Sequence, residues 1–171
     1  MQIQVLISAE EIATRVGQLG KEISGDYAGD DLVVVGILRG AFVFVSELIR
    51  QITIPLEVDF MAVSSYGPST KTSGVVRLLK DLDTAVEGRN LLIVEDIIDT
   101  GLTLSYLQQV LLSRNPASIK TAVLLDKVER RQIDFSPDYI GFTIPDRFVI
   151  GYGIDHNQRY RELPYVGVVP E

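Results

Sequence analysis

Residues 91–104, Leu-Leu-Ile-Val-Glu-Asp-Ile-Ile-Asp-Thr-Gly-Leu-Thr-Leu, leave a folding chain few options. Leu91 to Val94 form an apolar, partly β-branched run, as in a strand covered on both faces, and the acids Glu95 and Asp96 are expected to end it. Asp99, Thr100, Gly101 and Thr103 then make a small polar turn into a helical pattern with Leu104, Leu107, Val110 and Leu111 on one side. A strand, a turn and a helix N-terminus in that order leave backbone N–H groups pointing out of the turn, with the positive end of the helix dipole behind them. That suits a phosphate monoester. Glu95 and Asp96 would repel a phosphate but accept well from a vicinal diol, so the combination points to a ribose phosphate. The plainer alternative is that the acids and threonines only cap the strand and the helix.

The rest of the chain repeats the alternation of strand and helix. Ser8 and Glu11 form a capping box ahead of Ile12, Val16, Leu19 and Ile23 at helical spacing, and Gly25 is expected to close that helix. Residues 32–38 read as a buried strand. Arg39-Gly40 turns into a helix whose apolar side is Ala41, Phe42, Val45, Leu48 and Ile49. Residues 56–64 are β-prone, with Glu57 and Asp59 suggesting one partly exposed face. Residues 65–74 have almost nothing to bury, and a strand resumes at 75–81, which predicts a hairpin with a long tip. Residues 119–125 are another buried strand, ending at Asp126-Lys127, and short strands are expected at 139–144, 148–152 and 165–169. This order predicts an α/β fold with a central, mostly parallel sheet, an added antiparallel hairpin and a C-terminal subdomain. Ligands of such a sheet sit beyond the carboxyl ends of its strands. Arg39 and Gly40, residues 95–103, Lys127 and residues 155–161 all follow strands and converge on one rim.

Composition limits the chemistry available at that rim. The 171 residues fit one domain with a substantial core, and with no cysteine and one histidine neither thiolate chemistry nor a zinc site is expected. A net charge of −7 opposes nucleic-acid binding, so no nucleic-acid partner is expected. A highly anionic small ligand would meet the same repulsion and is expected to arrive with a divalent cation; oxygen donors favour Mg²⁺. The apolar runs at 32–38 and 41–45 are too short to span a bilayer and the N-terminus has no export pattern, so the reading is a soluble, cytoplasmic protein with no membrane partner. Two assignments stay open at this level. Lys127 reads either as a surface lysine or as a ligand, and Phe148 and Val149 read as strand core.

Two acids after an apolar strand followed by Asp-Thr-Gly-x-Thr resemble the signature of the type I phosphoribosyltransferases, which bind phosphoribosyl pyrophosphate (PRPP). The likeness extends to residues 35–42, the loop starting at Ser64, Leu125-Asp126-Lys127, and residues 145–152 through Asp155 to Arg161. All of these resemble the bacterial hypoxanthine(-guanine) branch of that family. The resemblance implies a single phosphoribosyltransferase domain over 1–171, with a hood from about 1–10 and 140–171 and a mobile lid at about 65–74. It implies purine salvage: transfer of 5-phosphoribose from PRPP to hypoxanthine or guanine, with Mg²⁺, in a homodimer or homotetramer. A phosphoribosyltransferase for xanthine or another purine, or a regulator that keeps the PRPP pocket, is the competing reading.

Carried over by resemblance, Thr100, Gly101, Leu102 and Thr103 hold the 5′-phosphate, Glu95 and Asp96 hold the ribose hydroxyls, and Asp99 takes the purine ring proton. Lys127 donates to the 6-oxo oxygen, Phe148 stacks on the base, Val149 contacts it through the main chain, and Asp155 lies at the base. Arg39, Gly40 and Arg161 hold pyrophosphate, with a non-proline cis peptide between Leu38 and Arg39. Ser65 and Tyr66 belong to the lid. Glu95, Asp96 and Asp155 are the expected metal contacts. Two positions depart from the pattern: Val128 stands where relatives often carry Pro, and His156 where Tyr is common.

Overall fold

In the computed structural model, which describes residues 2–65 and 76–170, apolar strand residues alternate between two cores. Leu32 and Val34 of β2 (Leu32–Leu38) and Leu92 and Val94 of β5 (Asn90–Ile98) face one cluster, while Val33, Val35, Leu91 and Ile93 face the other. Successive strand side chains point to opposite faces, so an unbroken apolar run is what a sheet covered on both sides requires. The first face is covered by α1 (Ala9–Asp26) and α2 (Phe42–Ile49), the second by α3 (Leu102–Leu112) through Leu104, Leu107 and Leu111.

Among the described residues, the large sheet has the order β4-β3-β2-β5-β6-β7, with β3 (Leu56–Ser65), β4 (Val76–Lys80), β6 (Ser118–Asp126) and β7 (Tyr139–Thr143). All its neighbours are parallel except β3 and β4. β1 (Gln4–Ile7), β8 (Val149–Ile150) and β9 (Val166–Val168) form a separate antiparallel sheet in the order β1-β9-β8. The chain leaves β2 toward β3 on one side and β5 toward β6 on the other. The carboxyl ends of β2 and β5 therefore flank the crevice at which the strand order reverses, the usual ligand position in such sheets.

The structure corrects several sequence expectations. β7 pairs with β6 in the large sheet, so the smaller sheet's C-terminal part begins at β8 and not at 140. The first helix runs through Gly25 to Asp26, and the Ser8–Glu11 capping box is present. On α2, Phe44 is buried and Phe42 is exposed, because the core side follows the i, i+3, i+4, i+7 spacing of Ala41, Phe44, Val45 and Leu48 and Phe42 falls about 100° away from it. Glu95 and Asp96 do not end β5: β6 continues beside it, and the ladder extends to Ile98 opposite Asp126.

Asp59 is not on an exposed face. It is buried, and its carboxylate accepts from the backbone N–H groups of Phe60 at 2.7 Å and of Asp83 and Thr84 at 2.9 Å each. Burial alone would raise its pKa, but these bonds outweigh burial and hold the carboxyl below the usual range. Its stabilisation is therefore present above the unfolded carboxylate pKa and fades as pH falls toward the depressed folded value. Asp59→Asn is expected to cost about 1–3 kcal/mol at neutral pH and to remove that part of the acid sensitivity, as read by denaturant unfolding at neutral and acid pH.

Candidate active site

Gly101 ends the turn after β5 at φ +86°, a left-handed conformation that favours glycine, and it caps α3 without a side chain. Thr100 turns its hydroxyl inward to accept from Leu102 N at 3.3 Å. Residues 95–101 with Thr103 and Leu104 line one cavity at the helix N-terminus, so the phosphate turn and the acid pair share a single hollow. The side chain of Asp99 is about half exposed (49%); Oδ1 accepts from Thr100 N at 2.6 Å, and Oδ2 lies 4.0 Å from Arg130 Nε.

Burial, followed by the negative charge of neighbouring Asp96, pushes the Glu95 carboxyl well above the usual range, and burial raises Asp96 as well. Two neighbouring acids, half-buried in the wall of one cavity, favour a shared proton or an incoming cation or hydroxyl donor. The folded state thus holds on to a proton that the unfolded chain gives up. That penalty is absent below the ordinary glutamate range, grows as pH rises toward the shifted value, and is constant above it. Glu95→Gln is expected to flatten this decline, as measured by the midpoint of thermal unfolding across acid to neutral pH.

Lys127 follows β6 directly, and its backbone N–H donates to Ile98 O at 2.9 Å, so Asp99 and Lys127 leave adjacent parallel strands side by side. Lys127 is buried, and among the described residues it takes part in no ion pair. Most of the side chain is covered while its ammonium has no carboxylate partner among the described residues, which suits a ligand contact better than a freely solvated surface lysine.

Phe148 is not strand core. It lies outside β8, is 54% exposed, and meets the His156 ring edge-on at 5.3 Å between centroids, leaving an aromatic surface open. Val149 is buried and pairs with Val168. The substitution noted at position 156 therefore places an imidazole beside Phe148, and Val128, exposed, begins a 3₁₀ turn over Val128–Arg130.

Across the crevice, the peptide between Leu38 and Arg39 is cis. A Cβ on Gly153 would sit 2.3 Å from Gly40 O, so that position needs glycine for the loops to touch, and one on Gly40 would sit 2.1 Å from Asp96 Oδ2 and make that carboxylate turn away. Arg161 donates to Gly153 O at 2.7 Å and lies 3.6 Å from Asp155 Oδ1. Arg39, Gly40, Asp155 and Arg161 thus stand as one cluster beside the acid pair. Ser65 ends β3, opposite Val76; Tyr66 and residues 67–74 of the expected lid lie outside the described residues.

Sequence reasoning missed the residues that tie these loops together. Arg131 pairs with the Asp126 carboxylate, donates to Phe135 O, and reaches Asp99 O with Nε at 3.1 Å. Gln132 N donates to Thr100 O at 3.0 Å, so the segment after Lys127 wraps the phosphate turn. Arg130 lies 3.7 Å from Asp146, linking Asp99 to the loop before Phe148. The adjacent pair Arg130-Arg131 shortly after a site lysine was the available signal.

Comparison with known proteins places this architecture. Residues 6–157 match the phosphoribosyl transferase domain family. The chain is 52% identical to the hypoxanthine-guanine phosphoribosyltransferase of Bacillus subtilis over 97% of its own length and 92% of the relative's. It is 49% identical to the hypoxanthine phosphoribosyltransferase of Salmonella typhimurium over 98% of its length and 95% of the relative's. Among solved structures, a hypoxanthine-guanine phosphoribosyltransferase of Bacillus anthracis superposes with a TM-score of 0.95 at 45% identity, covering 99% of this chain and all of that one.

Proposed function

This chain belongs to the phosphoribosyl transferase domain family, and on that premise we propose that it is a purine-salvage enzyme moving 5-phosphoribose from PRPP onto hypoxanthine and guanine. The products are the purine nucleotide 5′-monophosphate and pyrophosphate. The observation that supports the reading is the placement of Asp99 and Lys127 at the ends of adjacent parallel strands, the position from which one purine could meet both.

In this reading the 5′-phosphate sits at the N-terminus of α3, on the backbone of Thr100, Gly101 and Leu102 and the hydroxyl of Thr103, where the helix dipole favours an anion and the phosphate would take over N–H groups that now donate to the Asp99 and Thr100 side chains. Glu95 and Asp96 accept from the two ribose hydroxyls. Lys127 donates to the 6-oxo oxygen; an ammonium has donors only, so an exocyclic 6-amino group would meet donor with donor. Phe148 supplies the stacking face and Val149 a main-chain contact with the base, next to Asp155. As the imidazole nitrogen attacks C1′ and the bond to pyrophosphate breaks, Asp99 takes the ring proton, and its charge stabilises the oxocarbenium-like ribose. Arg39, Gly40 and Arg161 receive the departing pyrophosphate. Ser65 and Tyr66 belong to the lid that closes over these groups.

The donors also suit Mg²⁺. The acids at the rim offer oxygen only, and among the described residues no group of three or more such side chains could hold a metal by itself, which fits an ion bound by one or two carboxylates together with substrate oxygens. Glu95, Asp96 or Asp155 would supply those one or two carboxylates, and the ion would neutralise charge developing on pyrophosphate.

We further propose self-association as a dimer or tetramer, supported by the exposed Phe42 on a groove that mixes Val43, Leu163 and Pro164 with the charged Glu47, Arg161 and Glu162. A cytoplasmic location is part of the same proposal. No helix among the described residues is long and apolar enough to cross a membrane. Initial rates with PRPP, Mg²⁺ and each base test the activity: pyrophosphate release with hypoxanthine or guanine and none with adenine is expected, and xanthine turnover would widen the substrate class. No release with any base contradicts the proposal.

A further inference from the structure

Gln158 receives no role from the motif or from the reaction as set out above, yet it touches three of the charged groups at the pyrophosphate end. Its Oε1 accepts from Arg39 Nη1 at 3.0 Å and from Arg161 Nη2 at 2.9 Å, and its backbone N–H donates to Asp155 Oδ2 at 2.8 Å. The residue is exposed and sits in a short turn closed by paired His156 and Arg159, with φ +65°. An exposed glutamine loses side-chain freedom by being held there, and two cations sharing one neutral oxygen repel each other. The arrangement is the one an anion's oxygen would make with the same two guanidinium groups.

We propose that Gln158 is a positioning residue that preorganises the pyrophosphate site: its amide oxygen holds Arg39 and Arg161 together before the anion arrives. This inference rests on the assignment of these arginines to pyrophosphate. Because the amide is uncharged, it aligns the guanidinium groups without cancelling the charge that attracts the ligand. A carboxylate at the same position would hold them as well and neutralise them. The choice of amide over acid is thus the functional content of the position. Its backbone bond to Asp155 fixes the third group of the cluster in the same turn.

The test is Gln158→Ala and Gln158→Glu, each with initial rates varied in PRPP and in hypoxanthine and with calorimetric titration of magnesium pyrophosphate. The inference predicts that Gln158→Ala weakens pyrophosphate binding and raises the KM for PRPP about tenfold, the scale of one charged hydrogen bond. The KM for hypoxanthine and the melting temperature stay unchanged, and Gln158→Glu is worse than alanine for PRPP and pyrophosphate. A purely structural acceptor predicts the reverse order, since glutamate keeps the acceptor that alanine lacks. Unchanged pyrophosphate affinity in Gln158→Ala, or glutamate performing as well as glutamine, overturns the inference while leaving the site intact. Failure of the unsubstituted protein to bind magnesium pyrophosphate overturns the underlying site assignment instead.

Discussion

Asp99→Asn is expected to lower kcat by about a hundredfold or more while leaving PRPP affinity near that of the unsubstituted protein. The substitution is close to isosteric, and the asparagine oxygen can still accept from Thr100 N, the bond that the carboxylate makes at 2.6 Å, so the turn that holds the phosphate keeps its shape. What is lost is the ability to take a proton and the negative charge beside C1′, and general-base contributions run to about 10²–10⁴-fold. The half-exposed position of the side chain, at the rim of the cavity it shares with Glu95 and Asp96, leaves it able to reach a base entering from solvent. Single-turnover rates together with PRPP titration separate the two effects. A kcat unchanged by the substitution removes Asp99 as the base, and a collapse of PRPP binding with kcat intact assigns it to the phosphate turn instead.

Lys127→Met is expected to lower kcat/KM for hypoxanthine by about a hundredfold, again with PRPP binding intact. A hydrogen bond from a charged donor is worth about 1.5–3 kcal/mol, and leaving the purine carbonyl without a partner in a buried site adds to the loss. Methionine fills a comparable volume, so the end of β6 stays packed, and the backbone bond from residue 127 to Ile98 O does not depend on the side chain. The preference for hypoxanthine over adenine should shrink with the loss of the donor, because the unsubstituted ammonium opposes an exocyclic amine. An unchanged preference would place discrimination elsewhere in the pocket.

Much of this site was legible in the sequence because its parts are local. An apolar strand, two acids, a polar turn and a helix follow one another within residues 91–104, and each has a pattern that depends on near neighbours alone. The strands at 32–38 and 119–125 were legible for the same reason, and the polar residues after them marked the rim. The strand order was not readable, since nothing in a local pattern says to which side a crossover returns. The end of β5 was misread because its acids sit on a strand that β6 keeps paired as far as Ile98. Asp59 was misplaced because its partners are backbone groups at 83 and 84, and a carboxylate satisfied that way can be buried. The local pattern alone makes Phe148 core, since an aromatic beside Val149 looks like strand interior, whereas the strand is only two residues long and excludes it; the stacking role rests on the resemblance. Within the polar stretch 155–161 nothing local marks Gln158: its contact with Arg39 spans 119 residues, and no residue type at that position announces it.

A crystal structure with a purine nucleotide 5′-monophosphate bound is the most direct measurement of the central claim, that one sheet edge gathers the phosphate turn, the acid pair and the carbonyl-reading lysine around a single ligand. The 5′-phosphate is expected on the backbone of Thr100 to Leu102 and the Thr103 hydroxyl, the ribose hydroxyls on Glu95 and Asp96, and the 6-oxo oxygen within hydrogen-bond distance of Lys127 Nζ with the ring against Phe148. A nucleotide whose phosphate occupies that turn while its base lies out of reach of both Asp99 and Lys127 would contradict it.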